Sequence, residues 1–354
     1  MSQKGYSVTI IEENGYPKHK VCGEYISNEV LPYFESLGLN ISELLPTRID
    51  EFHFSSVSGT LIKAKLPLGG FGISRYTLDN YLYKKALKNG CNVIKDRVSS
   101  VVFDNSLFAV TTDSGTAYSA TIVFAAYGKR AQLDRNLNRS FFMKKSHWLA
   151  VKAHYKGEFS NSVVGLHNFK GGYCGVSKVE DNRVNICYLT DYEAFKKYKN
   201  VAEFENQVVM QNPHLRTFLS DATLLFEKPL TISQISFHKK TTIENHMLMI
   251  GDTAGLIHPL CGNGMAMAIH SAKLACEAAI LFLEQKISRS AMEQTYSQNW
   301  RFHFSNRLKM GRIIAKILQN PHLSETILRI FVMMPFLLPM VIRKTHGKTL
   351  TKLN

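Results

Sequence analysis

The sequence predicts an α/β protein with two sheets and a helical C-terminal region, and three observations favour this fold class. Apolar, β-branched runs at residues 7–12 and 247–251 are typical of buried parallel strands. Helical patterns lie near these runs, at residues 77–89 and 263–284. A strand-rich block of alternating polarity, residues 146–240, separates the two halves. We therefore expect one sheet to be interrupted along the chain by a second, antiparallel one.

The N-terminal half divides into short elements. Residues 7–12 (SVTIIE) predict a strand that ends at Glu12, and residues 28–37 predict a helix stopped by Gly38. A strand-rich stretch follows at 51–73, and the helix at 77–89 ends at Gly90. Further strands are predicted at 93–94, 98–104, 107–112 and 116–125, with a hairpin turn at 113–115.

The second half returns to the first sheet after a long excursion. Alternation predicts strands at 149–154 and 183–188, with a helical insertion at 192–211. A buried strand at 247–251 then leads to the long helix at 263–284. Small and apolar residues are expected to form the buried face of that helix: Met265, Ile269, Ala272, Leu274, Ala275 and Ala279.

Composition places the chain among ordinary globular proteins. Hydrophobic residues make up 45% and charged residues 20% of the 354 positions, which is enough for a sizeable core. The six cysteines show neither CxxC pairing nor metal-ligand spacing with histidine, and we find no signal peptide. These features predict reduced thiols, a cytoplasmic protein and no metal site.

The net charge of +15 is concentrated near the C-terminus. From Lys286 onward, twelve Lys and Arg residues face only Glu293 and Glu325, which is about two thirds of the excess. No nucleic-acid motif accompanies this charge. The apolar stretch 327–342 contains Pro335 and Pro339, which disfavours a spanning helix. Two alternatives stay open: peripheral contact with an anionic membrane surface, or a solvated basic helix followed by a core helix.

The strongest chemical signal lies where the strand at 247–251 meets the long helix. Gly251 and Asp252 end the strand, and the glycines of GNG, Gly262 and Gly264, precede the helix. A carboxylate at a strand end can accept hydrogen bonds from a polyol, and a helix N-terminus offers N–H donors to an anion. The alternative interpretation is a tight connection between strand and helix.

Three further stretches carry polar residues in suggestive positions. An acid that closes the first strand of a nucleotide-binding fold, here Glu12, binds a ribose hydroxyl pair, although it can also be a simple exposed acid. Residues 18–24 read KHKVCGE, and residues 74–82 read SRYTLDNYL. Arg75 and Asp79 are one helical turn apart, so they form either a surface salt bridge or a cofactor contact.

Together, the strand ending in Glu, KHKVCGE, SRxxLD and GDxAGxxxPxxGxG resemble the FAD-dependent geranylgeranyl reductases, within the superfamily of flavin aromatic hydroxylases. The resemblance covers residues 5–320, with four motifs in the family's order. It implies a Rossmann-like FAD-binding domain of three ββα layers, an inserted antiparallel-sheet substrate domain and a helical C-terminus. The implied divisions are 1–50, 74–145 and 241–285 for FAD, 51–73 and 146–240 for substrate, and 286–354 for the basic C-terminal region.

The resemblance also implies roles for individual residues. Glu12 would bind the adenosine ribose, Val98 would meet the adenine through its backbone, and Arg75 would contact the flavin side of the cofactor. Gly251 and Asp252 would lie at the ribityl–pyrophosphate region. The isoalloxazine would have as neighbours Gly262, Asn263, Gly264 and Met265, together with the loop residues Lys20, Cys22 and Gly23. Cys22 and His258 are weak catalytic candidates, since a small core residue and a structural hydrogen bond explain them as well.

The sequence departs from the family in three places. The family begins with a strand and a GxGxxG turn, whereas residues 1–5 here correspond to the end of the following helix, so we expect about 25 residues to be lacking. Tyr127 stands where the superfamily has an acid, which puts reduction by NAD(P)H in doubt. Gly175, Val176 and Ser177 replace an aromatic-and-proline signature, so an isoprenoid substrate does not follow. The isolated Trp148 and Trp300 disfavour halogenase chemistry.

The expected function is that of an FAD-dependent oxidoreductase, in which the flavin supplies the redox chemistry and the protein binds and orients. Reduced flavin would give a hydride to a C=C bond of an apolar lipid, isoprenoid or polyketide-like substrate, with NAD(P)H as a candidate electron donor. A flavin monooxygenase fits the same motifs. A cofactor-free protein that binds membrane surfaces is the alternative of another class, and no nucleic-acid partner is expected.

Overall fold

The computed structural model describes residues 1–351, except for the side chains at positions 321 and 322. It contains the strands β1 Thr9–Glu12, β2 Tyr25–Ser27, β3 Thr47–Ser55, β4 Leu61–Gly72, β5 Asn92–Lys95, β6 Val98–Asp104, β7 Leu107–Thr112, β8 Ala117–Ala120, β9 Phe124–Ala125, β10 Trp148–Lys156, β11 Val163–Phe169, β12 Gly172–Lys178, β13 Val184–Asp191, β14 Thr223–Leu224, β15 Leu230–Ser233, β16 Ile243–Glu244 and β17 Met247–Met249. The helices are α1 Leu31–Ser36, α2 Arg75–Lys88, α3 Gln132–Asn136, α4 Tyr192–Phe195, α5 Val201–Gln207, α6 Pro213–Asp221, α7 Gly264–Leu283, α8 Arg289–Gln319, α9 Pro321–Met333 and α10 Leu337–Thr345.

The largest sheet has nine strands, in the order β14-β10-β13-β12-β11-β3-β4-β2, with β15 also pairing with β10. It joins the hairpin β3–β4 to the strand-rich block predicted at 146–240. The predicted antiparallel pairing holds for every neighbouring pair except β11 and β3, which run parallel. The short strand β2 continues from the KHKVCGE loop into this sheet. The sheet therefore lies directly beside one of the four motifs.

The region that was predicted to bind FAD consists of smaller sheets. Strands β1 and β5 form a parallel pair, β17 pairs in parallel with β9 and antiparallel with β16, and β6, β7 and β8 form an antiparallel sheet. The predicted strand at 247–251 is buried in all three residues of β17. The expectation of full burial was wrong for β1, because Thr9 is exposed and Ile10 to Glu12 are half-buried. Among the described residues, β1 has a neighbour on one edge only, which leaves its other side open.

Two helices bear the predicted motifs. Helix α2 begins after Ser74, whose hydroxyl accepts a hydrogen bond from Thr77 N–H, and Asn89 and Gly90 follow its last turn. Helix α7 buries Leu274, Ala275 and Ala279 as predicted, but the other three residues predicted for its buried face are not fully buried. Met265, Ile269 and Ala272 are only half-buried, while Ala266, Met267, His270, Ser271 and Lys273 lie inside. Packing against α8 and the large sheet turns polar side chains inward that periodicity alone assigns to solvent.

The C-terminal region is helical, as expected, and it bends sharply. The axes of α9 and α10 differ by 118° across residues 334–336, so the predicted break at Pro335 is present. By length and composition, α7 and the bent pair of α9 and α10 could each cross a membrane, although half of the apolar segment of α7 is buried inside the protein. Residues 352–354 of the predicted basic region lie outside the described residues. The division into domains stays a prediction.

Candidate functional site

One cluster of ion pairs lies beside the end of β1 and contains three residues predicted to bind the cofactor, together with Asp79. The Lys20 Nζ lies 3.9 Å from the Glu12 carboxylate and 3.5 Å from Asp79. Asp79 in turn accepts two hydrogen bonds of 2.7 Å from the Arg75 guanidinium. The pair on α2 is therefore partly buried and linked to Glu12, which goes beyond an isolated surface salt bridge. Burial opposes the charge of Arg75, but Asp79 and the Cys22 thiol outweigh it, and the pKa of Arg75 is raised.

Two lysines connect this cluster to the predicted Asp252 region. Lys129 donates from its Nζ to the carbonyl of Val21 at 3.3 Å. Lys240 donates to the carbonyl of Lys129 at 2.9 Å and to that of Asp252 at 2.8 Å. Gly251 N–H donates to the Ser271 hydroxyl at 2.7 Å, which fixes the strand end against α7. The structure thus brings the KHKVCGE loop and the GD turn to the same place.

The beginning of α7 is the part of the site best suited to an anion. The first N–H groups of any α-helix have no intrahelical partner. In α7 they also lack a side-chain cap, because Asn263, the residue before the helix, makes no capping hydrogen bond. Asn263 is 1% exposed, and its Oδ1 has no partner among the described residues. Its amide nitrogen donates to the Thr345 carbonyl at 3.1 Å. A buried helix start without a cap is suited to the electron-rich pyrimidine side of a reduced flavin.

The start of α2 offers a useful contrast. Its first N–H groups are already taken by two buried carboxylates, since Ser74 N–H donates to Glu180 and Arg75 N–H donates to Glu24, each at 2.8 Å. An anionic ligand therefore has free donors at α7 and none at these two positions of α2. The residues present are suited to FAD. This conclusion rests on the free N–H donors at the start of α7, which α2 lacks at these two positions, and on the glycines next to α7.

Gly262 and its neighbours shape the approach to the helix. Gly262 has φ of 61°, and a Cβ there would lie 3.2 Å from the Tyr25 ring. Gly264 and Met265 are half-buried, so both are accessible beside the uncapped end. Gly23 has no atom within 4 Å of an added Cβ, and it leaves open space in the KHKVCGE loop. Their roles beside the isoalloxazine stay predictions.

Val98 lies apart from these residues, at the first position of β6. Its neighbour Arg97 reaches the carboxylate of Glu13, one residue beyond β1, at 3.9 Å. Val98 is half-buried against the main core. Its backbone is therefore close to the end of β1, but the structure adds no further contact that bears on a ligand.

The two catalytic candidates differ in their surroundings. The His258 ring is 4% exposed and stacks on Phe237 with ring centroids 4.2 Å apart. The Tyr173 hydroxyl accepts from Leu260 N–H and lies 2.8 Å from His258 Nδ1, so it donates its proton there. Burial lowers the pKa of His258 to about 3. The neutral ring holds the loop in place, which supports a structural role. Cys22 is half-buried, and its sulfur accepts from Glu24 N–H at 3.5 Å.

Tyr127 occupies the position of the acid expected in the superfamily. Its hydroxyl donates to Asp134 at 2.9 Å, and the Arg139 guanidinium donates to the same carboxylate oxygen at 2.9 Å. Both Asp134 and Arg139 are buried. Burial and the charge of Asp134 raise the pKa of Tyr127, which stays neutral. The missing acid is therefore replaced by a neutral phenol that contacts a buried ion pair.

Sequence analysis missed a buried ionic cluster that joins this loop to the large sheet. The Glu24 carboxylate is fully buried and accepts from Lys152 Nζ at 2.9 Å and pairs with His154 Nε2 at 2.6 Å. Burial alone would raise the pKa of Glu24, but the bonds from His154 and Lys152 outweigh it, and the pKa is lowered. Lys152 and His154 alternate with apolar residues in β10, and this polar alternation in a buried strand was the available signal.

His19 completes a group of three metal-type ligands with Glu24 and His154, whose nearest atoms lie within 4.8 Å of one another. Both Glu24 oxygens are already engaged, however, and the Lys152 ammonium stands beside them. Burial and the positive charge of Lys152 lower the pKa of His19 to about 4. A cation here would face that ammonium, so the group is better suited to holding the loop than to binding a metal.

No protein-family model matches the sequence, but curated proteins do. The chain is 22% identical to the Dictyostelium discoideum conditioned medium factor receptor 1 over 90% of its own length and 67% of that protein. It is 22% identical to the Chondromyces crocatus tryptophan 2-halogenase, covering 92% of the chain and 66% of the relative. The digeranylgeranylglycerophospholipid reductase 2 of Methanothermobacter thermautotrophicus is also 22% identical, covering 89% and 82%.

The chain is an FAD-dependent oxidoreductase. It is similar to a geranylgeranyl-type reductase and to a flavin halogenase, at 22% identity to each. The oxidoreductase spans about two thirds of the length of the first two relatives. The predicted fold class is confirmed by solved structures: the flavin-dependent brominase Bmp2 matches with a TM-score of 0.79 at 17% identity, over 97% of the chain and 88% of the brominase. At this identity the likeness shows the fold alone, so the expectation against halogenase chemistry stays a prediction.

Proposed function

We propose that this oxidoreductase uses reduced FAD to transfer a hydride to a C=C bond of an apolar small molecule. The observation that carries the proposal is the uncapped, buried start of α7 beside the GD turn, which can stabilise negative charge on a flavin that has been reduced. The cofactor supplies the redox chemistry when it is bound. The chain's own residues bind it, orient it and keep water away.

The polar residues suit different parts of the cofactor. Glu12, at the end of β1, is placed to accept hydrogen bonds from the adenosine ribose. Arg75 and Lys20 supply positive charge next to it. Lys240 holds the backbone carbonyl of Asp252, and the Asp252 carboxylate would accept hydrogen bonds from a ribityl chain. Gly262, Asn263, Gly264 and Met265 leave the flavin ring access to the N–H groups of α7.

An apolar wall near α7 supports an apolar substrate. Trp148, Tyr173 and Phe237 surround the neutral His258 ring with centroid distances of 4.2–5.8 Å. Trp148 and Tyr173 belong to the main hydrophobic cluster, and Phe237 packs against it. Aromatic surfaces of this kind exclude water from a site where a hydride must not be lost to solvent.

NAD(P)H is the electron donor that we propose to test first. Tyr127 replaces the acid at the position tied to nicotinamide contacts in the superfamily, so we expect NAD(P)H to reduce the flavin slowly.

The first experiment is the visible absorption spectrum of the purified protein, both alone and in an extended form with an added N-terminal segment that carries a GxGxxG turn. We expect near-stoichiometric flavin bands in the extended form. Anaerobic bleaching by NADPH, followed by re-oxidation with an unsaturated lipid in the absence of oxygen, would support the reductase. A hydroxylated product with oxygen consumption would establish the monooxygenase instead. Absence of flavin from both forms would contradict the proposal.

We also propose that the bend between α9 and α10 contacts an anionic membrane surface. Large apolar side chains are exposed there, including Met333 at 81%, Phe336 at 60% and Met340 at 54%. Arg329, Arg343 and Lys344 flank them, and such a combination of basic and apolar side chains suits a peripheral contact. Co-sedimentation with phosphatidylglycerol vesicles should fall at least threefold on Met333→Ser/Phe336→Ser, while Phe302→Ser on α8 should leave it unchanged. Equal binding by all three proteins would refute the contact.

A further inference from the structure

A cavity outside the predicted cofactor surface lies between the C-terminal part of β4, α7, α8 and the segment 343–351. Its volume is about 820 Å³, within the range of roughly 300–1,000 Å³ that small-molecule sites occupy. Tyr25 stands between this cavity and the start of α7. The Tyr25 hydroxyl donates to the Gly69 carbonyl on the cavity wall at 3.4 Å, while its ring faces Gly262. The cavity is therefore adjacent to the cofactor surface and separate from it.

The cavity wall carries more positive than negative charge. Lys273 is paired with Glu277, and Arg307 lies 3.3 Å from Glu29. Arg343 and Lys348 also line the cavity. Both are exposed, and within the described part of the chain neither has a carboxylate within 4 Å, so their two charges are not balanced locally.

A buried histidine on the same wall lacks a partner. His270 is 6% exposed, lines the cavity, and has no hydrogen-bond partner at Nδ1 in residues 1–351. This nitrogen is itself shielded from the cavity, so His270 contributes a buried ring to the wall and no accessible donor or acceptor at Nδ1. Burial, followed by the nearby charges of Arg307 and Lys273, lowers the pKa of His270 to about 3.

The rest of the wall is apolar. Leu66 and Leu274 are buried at the inner side, and Leu350 is 4% exposed beneath the C-terminal segment. Leu68 and Phe302, which are 40% and 81% exposed, lie at the rim. A bare phosphate would use only a small part of this volume, so the shape favours a ligand with an apolar body.

We propose that this cavity binds an amphiphile whose head group is a phosphate monoester. Its dianionic head would be placed between Arg343 and Lys348, and its apolar chain would lie against Leu66, Leu274 and Phe302. The site goes beyond the proposed redox function and does not depend on it. Because Thr345, in the same segment, holds the amide of Asn263, an occupied cavity would also steady the start of α7.

The test is calorimetric titration of the full chain with octyl phosphate below its critical micelle concentration. Octyl glucoside tests the alkyl chain of the ligand without its charge, and inorganic phosphate tests the charge without the alkyl chain. We expect saturable 1:1 binding of octyl phosphate, at least tenfold weaker binding of inorganic phosphate and no saturable binding of octyl glucoside. Arg343→Gln/Lys348→Gln should weaken octyl phosphate about tenfold or more. Phe302→Ser should weaken octyl phosphate but leave inorganic phosphate unchanged.

Lys309→Gln is the matched control, because Lys309 is an exposed base on α8 that does not line the cavity. We expect its affinity to stay within twofold of the unmodified protein. An equal loss in the control and the double variant would show diffuse surface charge and overturn the site. Unchanged binding by the double variant would overturn it as well. So would binding to phosphatidic acid vesicles without binding of monomeric octyl phosphate. The substituted side chains are exposed, and unchanged thermal unfolding temperatures of the free variants would show that folding is intact.

Discussion

Replacing the buried carboxylate of Glu24 should destabilise the protein more than any surface substitution. In Glu24→Gln, the side chain keeps its shape but loses the charge that faces Lys152 and His154 at 2.9 and 2.6 Å and Arg75 N–H at 2.8 Å. The Lys152 ammonium, which is fully buried, would then have no counter-charge. Breaking one partner of such a pair costs about 3–5 kcal/mol, and we expect a loss of this size in the free energy of unfolding.

A double-mutant cycle separates the pair from the loss of a hydrogen bond. Lys152→Met removes the uncompensated charge, so Glu24→Gln/Lys152→Met should recover about 2 kcal/mol relative to Glu24→Gln alone. The assay is urea unfolding followed by tryptophan fluorescence, at a fixed concentration of FAD because a ligand shifts apparent stability. Glu13→Gln is the control: its side chain is 58% exposed, and its effect should stay within about 0.5 kcal/mol. A cost below about 1 kcal/mol for Glu24→Gln would refute the reasoning.

The same cluster predicts a dependence on pH. The pKa of Glu24 is lowered in the folded protein, so the unfolded chain takes up its proton first as the pH falls. The contribution of Glu24 to stability is therefore complete above its ordinary pKa and is lost as the pH falls through the lowered value. The difference in unfolding free energy between the unmodified protein and Glu24→Gln should shrink in that acidic range. A difference that stays constant there would contradict the assigned direction.

Three further predictions concern the cofactor surface. Glu12→Ala should weaken FAD at least tenfold in the extended form by fluorescence titration, whereas Glu13→Ala, one residue further on, should stay within threefold; equal losses would remove Glu12 from the site. Gly262→Ala should cost about 1–2 kcal/mol in unfolding free energy and lower flavin occupancy, because its φ is 61° and its Cβ would lie 3.2 Å from Tyr25; normal occupancy would speak against a close approach there. Burial lowers the pKa of Lys240 to about 8, so the unfolded chain holds this proton to higher pH than the folded one. Stability should therefore rise above pH 8 by up to about 3 kcal/mol relative to Lys240→Met, and parallel pH profiles in urea unfolding would exclude this.

Local patterns were sufficient for most individual elements. The bounds predicted for β6 and β7, 98–104 and 107–112, are those of the structure, because alternation and turn residues act within a few positions. The helix predicted at 77–89 is α2, Arg75–Lys88: its end was predicted to within one residue from Gly90, but its start after Ser74 was placed two residues too late. Helix α6, Pro213–Asp221, was not predicted, although Asn212 and Pro213 give the usual start of a helix. That signal was hidden in a block interpreted as strand-rich.

The order of motifs along the chain was sufficient to predict the FAD cofactor, since cofactor binding depends on short segments whose glycines and acids have fixed roles. Tertiary structure alone decided which buried charges meet. Glu24 and Lys152 are 128 residues apart, and Glu29 and Arg307 are 278 apart, so no periodicity within one element relates them. It also decided that the start of α2 is closed by carboxylates while the start of α7 is open. Sequence spacing specifies a helix end, but only the packing of distant strands determines which groups occupy its N–H donors.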